Sequence, residues 1–246
     1  MAFLDLFSKK PDLYARARPS YPDALFEFIA ARSPSRERAW DCATGNGQAA
    51  LGLARHFAAV EATDASAAQV EHAIANERIT YSVGLAEGTH FAPASFDAVT
   101  AASALHWFDL DRFYPEVRRV LKPGGIFAAW GYTRHFVADD FDAQFKRTVL
   151  DAIRDHWPKE SAKLHAGYRD VGFPFEPVEA PAFTIEMRWS LEELLAYAAT
   201  WSATQAYVAD HPGFLAHASE SLSTAWGNDA QRVVRLPMHL RCGRRA

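Results

Sequence analysis

The sequence predicts an α/β protein built on a mostly parallel sheet, and three observations support this fold class. Segments of strand character alternate with segments of helix character over about 120 residues. A glycine-rich turn, Gly45-Asn46-Gly47, joins the first predicted strand to the helix that follows it. The chain has 246 residues, of which 49% are hydrophobic, so it can bury a core without disulfide or metal crosslinks.

The first half of the chain supplies the parallel part of the predicted sheet. A helix over 21–32 starts at Pro22, which suits a first helical turn, and its apolar residues recur at helical spacing. β-branched, aromatic and other apolar residues predict strands at 38–42, 60–63, 79–83, 96–101 and 126–130. Helices are predicted at 49–57, at 66–76 with Ser66 as its cap, and at 109–121, which closes at Lys122-Pro123-Gly124-Gly125.

The pattern changes after residue 132 to helices and a late pair of strands. A helix is predicted at 141–156 and continues in character toward 172, and three prolines at 174, 177 and 181 mark a loop-rich bridge. Strands are predicted at 182–189 and 232–240, with helical segments at 191–207 and 212–226 between them. We expect the strand pair to lie at the edge of the sheet. The helices would then form a cap over the carboxyl ends of the parallel strands, where open α/β sheets bind ligands.

Composition excludes several classes of function. The chain carries 26 basic and 30 acidic residues, a net charge of −4, which argues against a nucleic-acid partner. No apolar run approaches the roughly 20 residues of a membrane span, and the N-terminal lysines follow the apolar stretch, so we expect a cytoplasmic protein without a membrane partner. Histidine and cysteine spacing predicts no metal. The expected partner is a small molecule, and the expected state is a monomer or homodimer.

The glycine-rich turn is compatible with two cofactors. It satisfies the G-x-G-x-x-A pattern, with Asp64 nineteen residues after Gly45, which fits a dinucleotide. However, Asp41 would repel a pyrophosphate, whereas it suits the sulfonium and ammonium of S-adenosyl-L-methionine. Asp64 can accept both ribose hydroxyls, and Glu87 adds an acid to the same rim. An oxidoreductase and a non-catalytic cofactor-binding module remain as alternatives.

Five segments resemble, in order, the motifs of class I S-adenosylmethionine-dependent methyltransferases. They are WDCATGNGQ at 40–48, EATDAS at 61–66, GLAE at 84–87, SFDAV at 95–99 and RVLKPGG at 119–125. Three further segments resemble the type 11 group near the trans-aconitate methyltransferases. They are YARARPSYP at 14–22, ALHWF at 104–108 and TWSA at 200–203.

This resemblance implies a Rossmann-like seven-stranded sheet with an antiparallel last strand and helical cap insertions. It divides the chain into a lid and first helix at 1–35, a cofactor-binding core at 36–132, and cap insertions with the last two strands at 133–246. Leu85 stands where relatives often have an acid or amide that contacts the adenine. We expect cofactor contacts at Tyr14, Arg18, Asp41, Ala43, Thr44, Gly45, Gly47, Asp64, Ala65, Ala86, Glu87 and Ser103.

The acceptor is expected on the far side of the cofactor, next to His106 and Trp107, which are the catalytic candidates. His106 follows the fourth strand and could be a general base, although a role in shaping the pocket is favoured. Trp107 could be a pocket wall or simply part of the core. An ionised carboxylate acceptor would need no base. The substrate candidates are Trp107, Tyr132, Arg134, Trp201 and Tyr207, with His135 beside Arg134 as a further anion-binding candidate.

Overall fold

Five parallel strands form the centre of the molecule, as predicted. The computed structural model describes residues 19–246. The parallel strands are β1 (Arg38–Cys42), β2 (Ala59–Asp64), β3 (Ile79–Val83), β4 (Phe96–Ala102) and β5 (Leu121–Tyr132). They lie in the order β3-β2-β1-β4-β5. Their carboxyl ends therefore share one edge of the sheet, and β1 and β4 are neighbours at its centre.

An antiparallel strand extends this sheet, as the sequence predicted. The long strand β8 (Arg232–Arg244) pairs with β5, from Ile126 opposite Arg244 to Tyr132 opposite Met238. Its other half pairs with β7 (Thr184–Trp189), which confirms the late strand pair. A two-residue strand, β6 (Glu176–Pro177), completes the seven-stranded path β3-β2-β1-β4-β5-β8-β6. The loop-rich interpretation of this bridge missed β6, because two residues carry no strand pattern.

Four helices accompany the parallel strands: α1 (Asp23–Arg32), α2 (Gln48–Leu53), α3 (Ala67–Glu71) and α4 (Leu110–Val120). The Ser66 side chain accepts a hydrogen bond from Gln69 N, so the predicted cap of α3 is confirmed. However, α2 and α3 are shorter than predicted. α3 ends early because Ile74 donates its backbone N–H to Asn46 O in the glycine-rich turn, which draws the chain out of the helix.

The segment Lys122-Pro123-Gly124-Gly125 belongs to β5 and not to a turn that precedes it. Leu121 already pairs with Phe96 of β4, and the register shifts before Ala98 pairs with Ile126. Gly124 has a φ of +75° at this irregularity. The prediction of a separate turn was wrong because the strand absorbs the glycine pair as a bulge.

The cap consists of short helices, most of which share a core cluster with Tyr132 at the end of β5 and with residues of β7 and β8. They are α5 (Asp139–Phe145), α6 (Ser161–His165), α7 (Leu191–Ala199), α8 (Ser202–Asp210) and α9 (Phe214–Trp226). The predicted helix 141–156 breaks into α5, a π-helical turn at Lys146–Leu150 and a 3₁₀ turn at Arg154–His156. The predicted helical segment 191–207 is divided in two, since α7 ends at Ala199 and α8 begins at Ser202.

Both cysteines are buried free thiols. Cys42 lies in β1, and its thiol donates a hydrogen bond to Thr100 O at 2.8 Å. Burial raises the pKa of Cys42 well above its ordinary value and raises the pKa of Cys242, in β8, to about 12. Among residues 19–246, no helix has the length and apolar character needed to cross a membrane.

Candidate active site

The glycine-rich turn follows β1 and begins α2. Gly45 has a φ of +58° and Gly47 a φ of +93°, which are left-handed conformations that glycine adopts at little cost. A Cβ added at Gly47 would lie 2.1 Å from the Tyr81 hydroxyl of β3. Ala43, with a φ of +53°, adopts the same region without being a glycine, at a cost of roughly 1–2 kcal/mol. The backbone is therefore strained where a ligand is expected.

Asp64 ties this turn to the ends of three strands. Its Oδ2 accepts a hydrogen bond from Gly45 N, and its Oδ1 accepts one from Ser66 N, both at 2.8 Å. Its backbone oxygen accepts from Gly84 N, just beyond β3. A carboxylate has roughly four acceptor positions, and it is the type of group that accepts hydrogen bonds from the hydroxyls of a ribose.

Asp41 lies beneath the turn and is fully buried. Its two oxygens accept from the hydroxyls of Thr44 at 2.6 Å and of Thr100 at 2.7 Å. Burial, with a smaller contribution from the charge of Asp64, raises the pKa of Asp41 to about 6. Asp41 thus joins the turn to β4. Its charge can attract a nearby cation through the protein without direct exposure, and Thr44 acts by holding that carboxylate.

Apolar side chains line the rim beside Asp64. Ile74, Val83 and Leu85 are 46%, 58% and 53% exposed, and they are three of the four large hydrophobic residues exposed within 19–246. Val83 stands opposite Asp64 in the pairing of β2 with β3. Leu85 therefore belongs to an apolar surface next to the end of β3. Such a surface suits the face of a flat ring.

In the loop after β3, the predicted cofactor residues Ala86 and Glu87 pack in the core and cap a helix. Ala86 is buried in the core, so its backbone is the part that a ligand could reach. Glu87 Oε1 accepts from Asp109 N at 3.1 Å and thereby caps the start of α4. Ala65, half-buried, lies between Asp64 and Ser66.

His106 and Trp107 lie in a 3₁₀ turn, Leu105–Trp107, just after β4. His106 is 4% exposed, and its Nδ1 lies 3.1 Å from the hydroxyl of Tyr168. The ring of Trp107 is 4.7 Å from that of His106. Ser103, at the end of β4, has a φ of +52° and a buried hydroxyl that makes no hydrogen bond with any described residue. Sequence reasoning missed Tyr168, because 62 residues separate it from His106.

The predicted substrate residues fall into two groups. Tyr132, the last residue of β5, packs with Tyr21 and Tyr197 at 6.2 and 6.3 Å between ring centres, and Trp201 packs on Tyr197 at 5.3 Å. Tyr207 instead stacks on His211 at 3.9 Å, within the cap. The structure thus joins Tyr132 to Trp201 through one ring cluster, whereas the ring contacts recorded for Tyr207 lie outside it.

Two basic candidates on the acceptor side differ in character. Arg134 is exposed. His135 is buried, and burial lowers its pKa to about 4, so it is neutral at physiological pH. As a neutral imidazole, His135 could contact an anion only through a ring N–H donor, and its role as an anion-binding candidate stays a prediction. Tyr14 and Arg18 lie outside the described residues.

Comparison with known proteins identifies the family. A family model described as "Methyltransferase domain" matches residues 40–129. The chain is 42% identical to a solved structure of a "Putative Type II Methyltransferase" from Anaeromyxobacter dehalogenans, over 92% of this chain and 97% of that one, with a TM-score of 0.86. It is 29% identical to a "Putative methyltransferase" from Dictyostelium discoideum, over 91% of this chain and 87% of that protein.

The chain belongs to the class I S-adenosylmethionine-dependent methyltransferase family. It is an enzyme whose cofactor is S-adenosyl-L-methionine. Of the two cofactors that the glycine-rich turn allowed, the family selects the sulfonium compound. The residues present fit it, because buried and half-buried carboxylates and an apolar rim surround a turn that contains no basic side chain.

Proposed function

We propose that the protein transfers a methyl group to an oxygen of a small carboxylic acid, as in the trans-aconitate methyltransferase group that its sequence resembles. S-adenosyl-L-methionine, when bound, supplies the electrophilic methyl group. An acceptor that is already ionised needs no proton removed, so the protein's contribution is to bind it, orient it and exclude water. His106 then shapes the pocket and does not act as a base.

In this proposal the core at 36–132 binds the cofactor. The ribose lies on Asp64, the adenine lies on the apolar rim of Ile74, Val83 and Leu85, and the ammonium end lies within the field of Asp41. Support comes from the position of the Asp64 carboxylate against the glycine-rich turn and from the strained backbone at Ala43 and Ser103, which directly follow the two central strands β1 and β4. The remaining cofactor contacts proposed are Tyr14, Arg18, Thr44, Gly45, Gly47, Ala65, Ala86, Glu87 and Ser103.

The observation that carries the small-molecule proposal is that the cap contacts the loops after both β4 and β5. α6 packs against the 3₁₀ turn that holds His106 and Trp107. Tyr197 of α7 contacts Tyr132 at the end of β5. These contacts restrict access to the space beside the strand ends, which favours a small acceptor over a macromolecule. Trp107, Tyr132 and Trp201 are its proposed walls, and Arg134 and Tyr207 lie farther out.

A panel of acceptors tests this proposal. The protein is incubated with S-adenosylmethionine and with small mono-, di- and tricarboxylic acids, their amides, phenols and amines, and the release of S-adenosylhomocysteine is measured. We expect turnover with carboxylic acids and none with the matched amides, because an amide lacks the ionised oxygen. Mass spectrometry of the product should show a methyl ester.

His106→Ala serves as the second arm of the same experiment. A pocket-shaping residue predicts a changed KM for the acceptor and no loss of a pH dependence near neutrality. Turnover with phenols or amines alone, or a pH profile near pH 6–7 that disappears in the variant, would overturn the carboxylate proposal and make His106 a base.

A further inference from the structure

We infer that Tyr168 is a positioning residue that holds His106 with its proton on Nε2, so that His106 presents a hydrogen-bond donor to the acceptor. This inference rests on the proposed function, since it assigns His106 a task toward a carboxylate. It adds a residue of the cap to the machinery of methyl transfer and a defined protonation state to the residue beside it.

The His106–Tyr168 pair is buried on both sides. Tyr168 is fully buried and His106 is 4% exposed. The distance between Nδ1 and the hydroxyl oxygen is 3.1 Å, which is a hydrogen bond. The two rings are inclined at 30°, with centres 6.2 Å apart. This geometry fixes which nitrogen of His106 faces the cap, and the other nitrogen faces away from Tyr168.

The backbone around Tyr168 is built to place its hydroxyl. Gly167 and Tyr168 have φ values of +64° and +58°, and a left-handed conformation is costly for a residue with a bulky side chain. Arg241 of β8 donates to Tyr168 O at 2.6 Å, and Tyr168 N donates to Lys163 O. The turn is therefore held by the sheet on one side and by α6 on the other.

The sheet also leaves room for the pair. A Cβ added at Gly131 of β5 would lie 2.4 Å from Leu164 Cδ1 and 3.4 Å from the Tyr168 hydroxyl. Ser103 Oγ is near the same point, at 3.7 Å, yet it makes no hydrogen bond with residues 19–246. A side chain at position 131 would therefore crowd the space beside the Tyr168 hydroxyl, which the glycine keeps clear.

The direction of the hydrogen bond follows from the partners available. Among the described residues, the Tyr168 hydroxyl has His106 Nδ1 as its hydrogen-bond partner. Burial raises the pKa of Tyr168, so the hydroxyl keeps its proton. A buried O–H that donates to nothing is unfavourable, so Tyr168 donates and Nδ1 accepts. In the neutral imidazole the proton must then lie on Nε2.

Nitrogen NMR of the protein labelled with ¹⁵N-histidine tests this assignment, with the His106 signals identified by their loss in His106→Gln. In the wild-type protein we expect Nδ1 to be unprotonated and Nε2 to carry the proton. Tyr168→Phe should remove this preference and give a mixture of tautomers. Tyr114→Phe is the matched control, because Tyr114 is also a buried tyrosine whose hydroxyl lacks a partner in the described part of the chain.

Kinetics supply a second readout once an acceptor is known. Tyr168→Phe should raise the KM of the acceptor about three- to ten-fold, the effect of one lost hydrogen bond, and leave the affinity for S-adenosylhomocysteine unchanged. Tyr114→Phe should change neither. A purely structural role of Tyr168 would alter both affinities together.

The wild-type spectrum alone can overturn the inference. A proton on Nδ1 of His106, or the same tautomer in wild type and Tyr168→Phe, would show that Tyr168 does not set the state of His106. Failure of the proposed function would give a different result. His106 would carry its proton on Nε2, but carboxylic acids would not be methylated. The assignment of the His106–Tyr168 pair would then stand, and the carboxylate proposal would be wrong.

Discussion

Asp41 and Asp64 are two carboxylates at the ends of neighbouring strands, and their surroundings give them different tasks. Asp64 accepts hydrogen bonds from the backbone N–H groups of Gly45 and Ser66, which orient its carboxylate at the edge of the sheet. Asp41 is buried with two hydroxyl groups, and burial dominates, so its pKa rises to about 6. A residue whose charge is unfavourable without a cation nearby is typical of a binding site.

Asp41→Asn should therefore stabilise the protein and weaken cofactor binding. The pKa of Asp41 is about 6 in the folded state, against an ordinary value of 3.8 for an aspartate. The folded state thus binds more protons than the unfolded state between these pH values, and the free energy of unfolding falls as pH rises from about 4 to 6. Asparagine carries no charge and avoids this loss of stability. We therefore expect Asp41→Asn to raise the free energy of unfolding by about 1–3 kcal/mol at pH 7.

Urea unfolding of both proteins at pH 4 and pH 7 measures the effect. The gain should shrink at pH 4, where Asp41 is protonated in the folded wild type. Titration calorimetry should show weaker binding of S-adenosylhomocysteine to the variant. If Asp41→Asn were less stable than wild type at pH 7, the inference that the Asp41 charge is unfavourable in the folded state would be wrong.

Asp64→Ala should weaken the binding of S-adenosylhomocysteine about ten- to a hundred-fold, because a charge-assisted hydrogen bond contributes about 1.5–3 kcal/mol. Glu61→Ala is the matched control, since Glu61 lies on the same strand but pairs with Arg38 at 2.9 Å. Calorimetry measures both affinities, and circular dichroism checks that both variants fold. Equal affinities in the two folded variants would remove Asp64 from the ribose site.

At the scale of the element, the glycine-rich turn is constrained by β3 as well as by β1. Gly47→Ala would place a Cβ 2.1 Å from the Tyr81 hydroxyl at a φ of +93°. We expect the free energy of unfolding to fall by roughly 2–4 kcal/mol, because of the left-handed strain and the displacement of the Tyr81 ring. Gly84→Ala, where no atom lies within 4 Å of the added Cβ, should leave the free energy of unfolding nearly unchanged. Similar losses in both variants would refute this account.

The parallel core could be predicted from the sequence, since all five strands have short apolar runs between turn residues. Buried strands such as β4, with Phe96, Val99 and Ala101 fully buried, leave a strong pattern. The cap helices leave no such pattern at their ends. Their ends depend on packing against residues that are distant in the sequence, such as those of β7 and β8, and on the π-helical turn after Phe145.

The candidate site was only partly predictable for the same reason. Motif spacing located Asp41, Asp64 and His106 at strand ends. It carried no information on Tyr168, which reaches His106 through a left-handed turn held by Arg241. The sole local signal is the glycine at 167 before a tyrosine, and such a pair is common in loops.

At the scale of the whole molecule, the N-terminal segment is the part predicted to close over the cofactor. Tyr21 packs on Trp130 and Tyr132, which anchors the end of that segment to β5. We expect backbone amides over 8–21 to exchange hydrogen more slowly when S-adenosylhomocysteine is added, and those of β7 to be unaffected. Equal exchange with and without the ligand would remove the lid from the proposal.

The two buried cysteines can be used to measure local opening of the structure. Cys42 lies on a central strand, whereas Cys242 lies on β8, opposite Ala128 of β5. An alkylating reagent reacts with a thiolate in contact with solvent, so each thiol is modified only after its strand has opened. Because the sequence contains two cysteines, their separate modification rates would show whether the antiparallel edge detaches before the parallel core, and whether ligand binding slows one event or both.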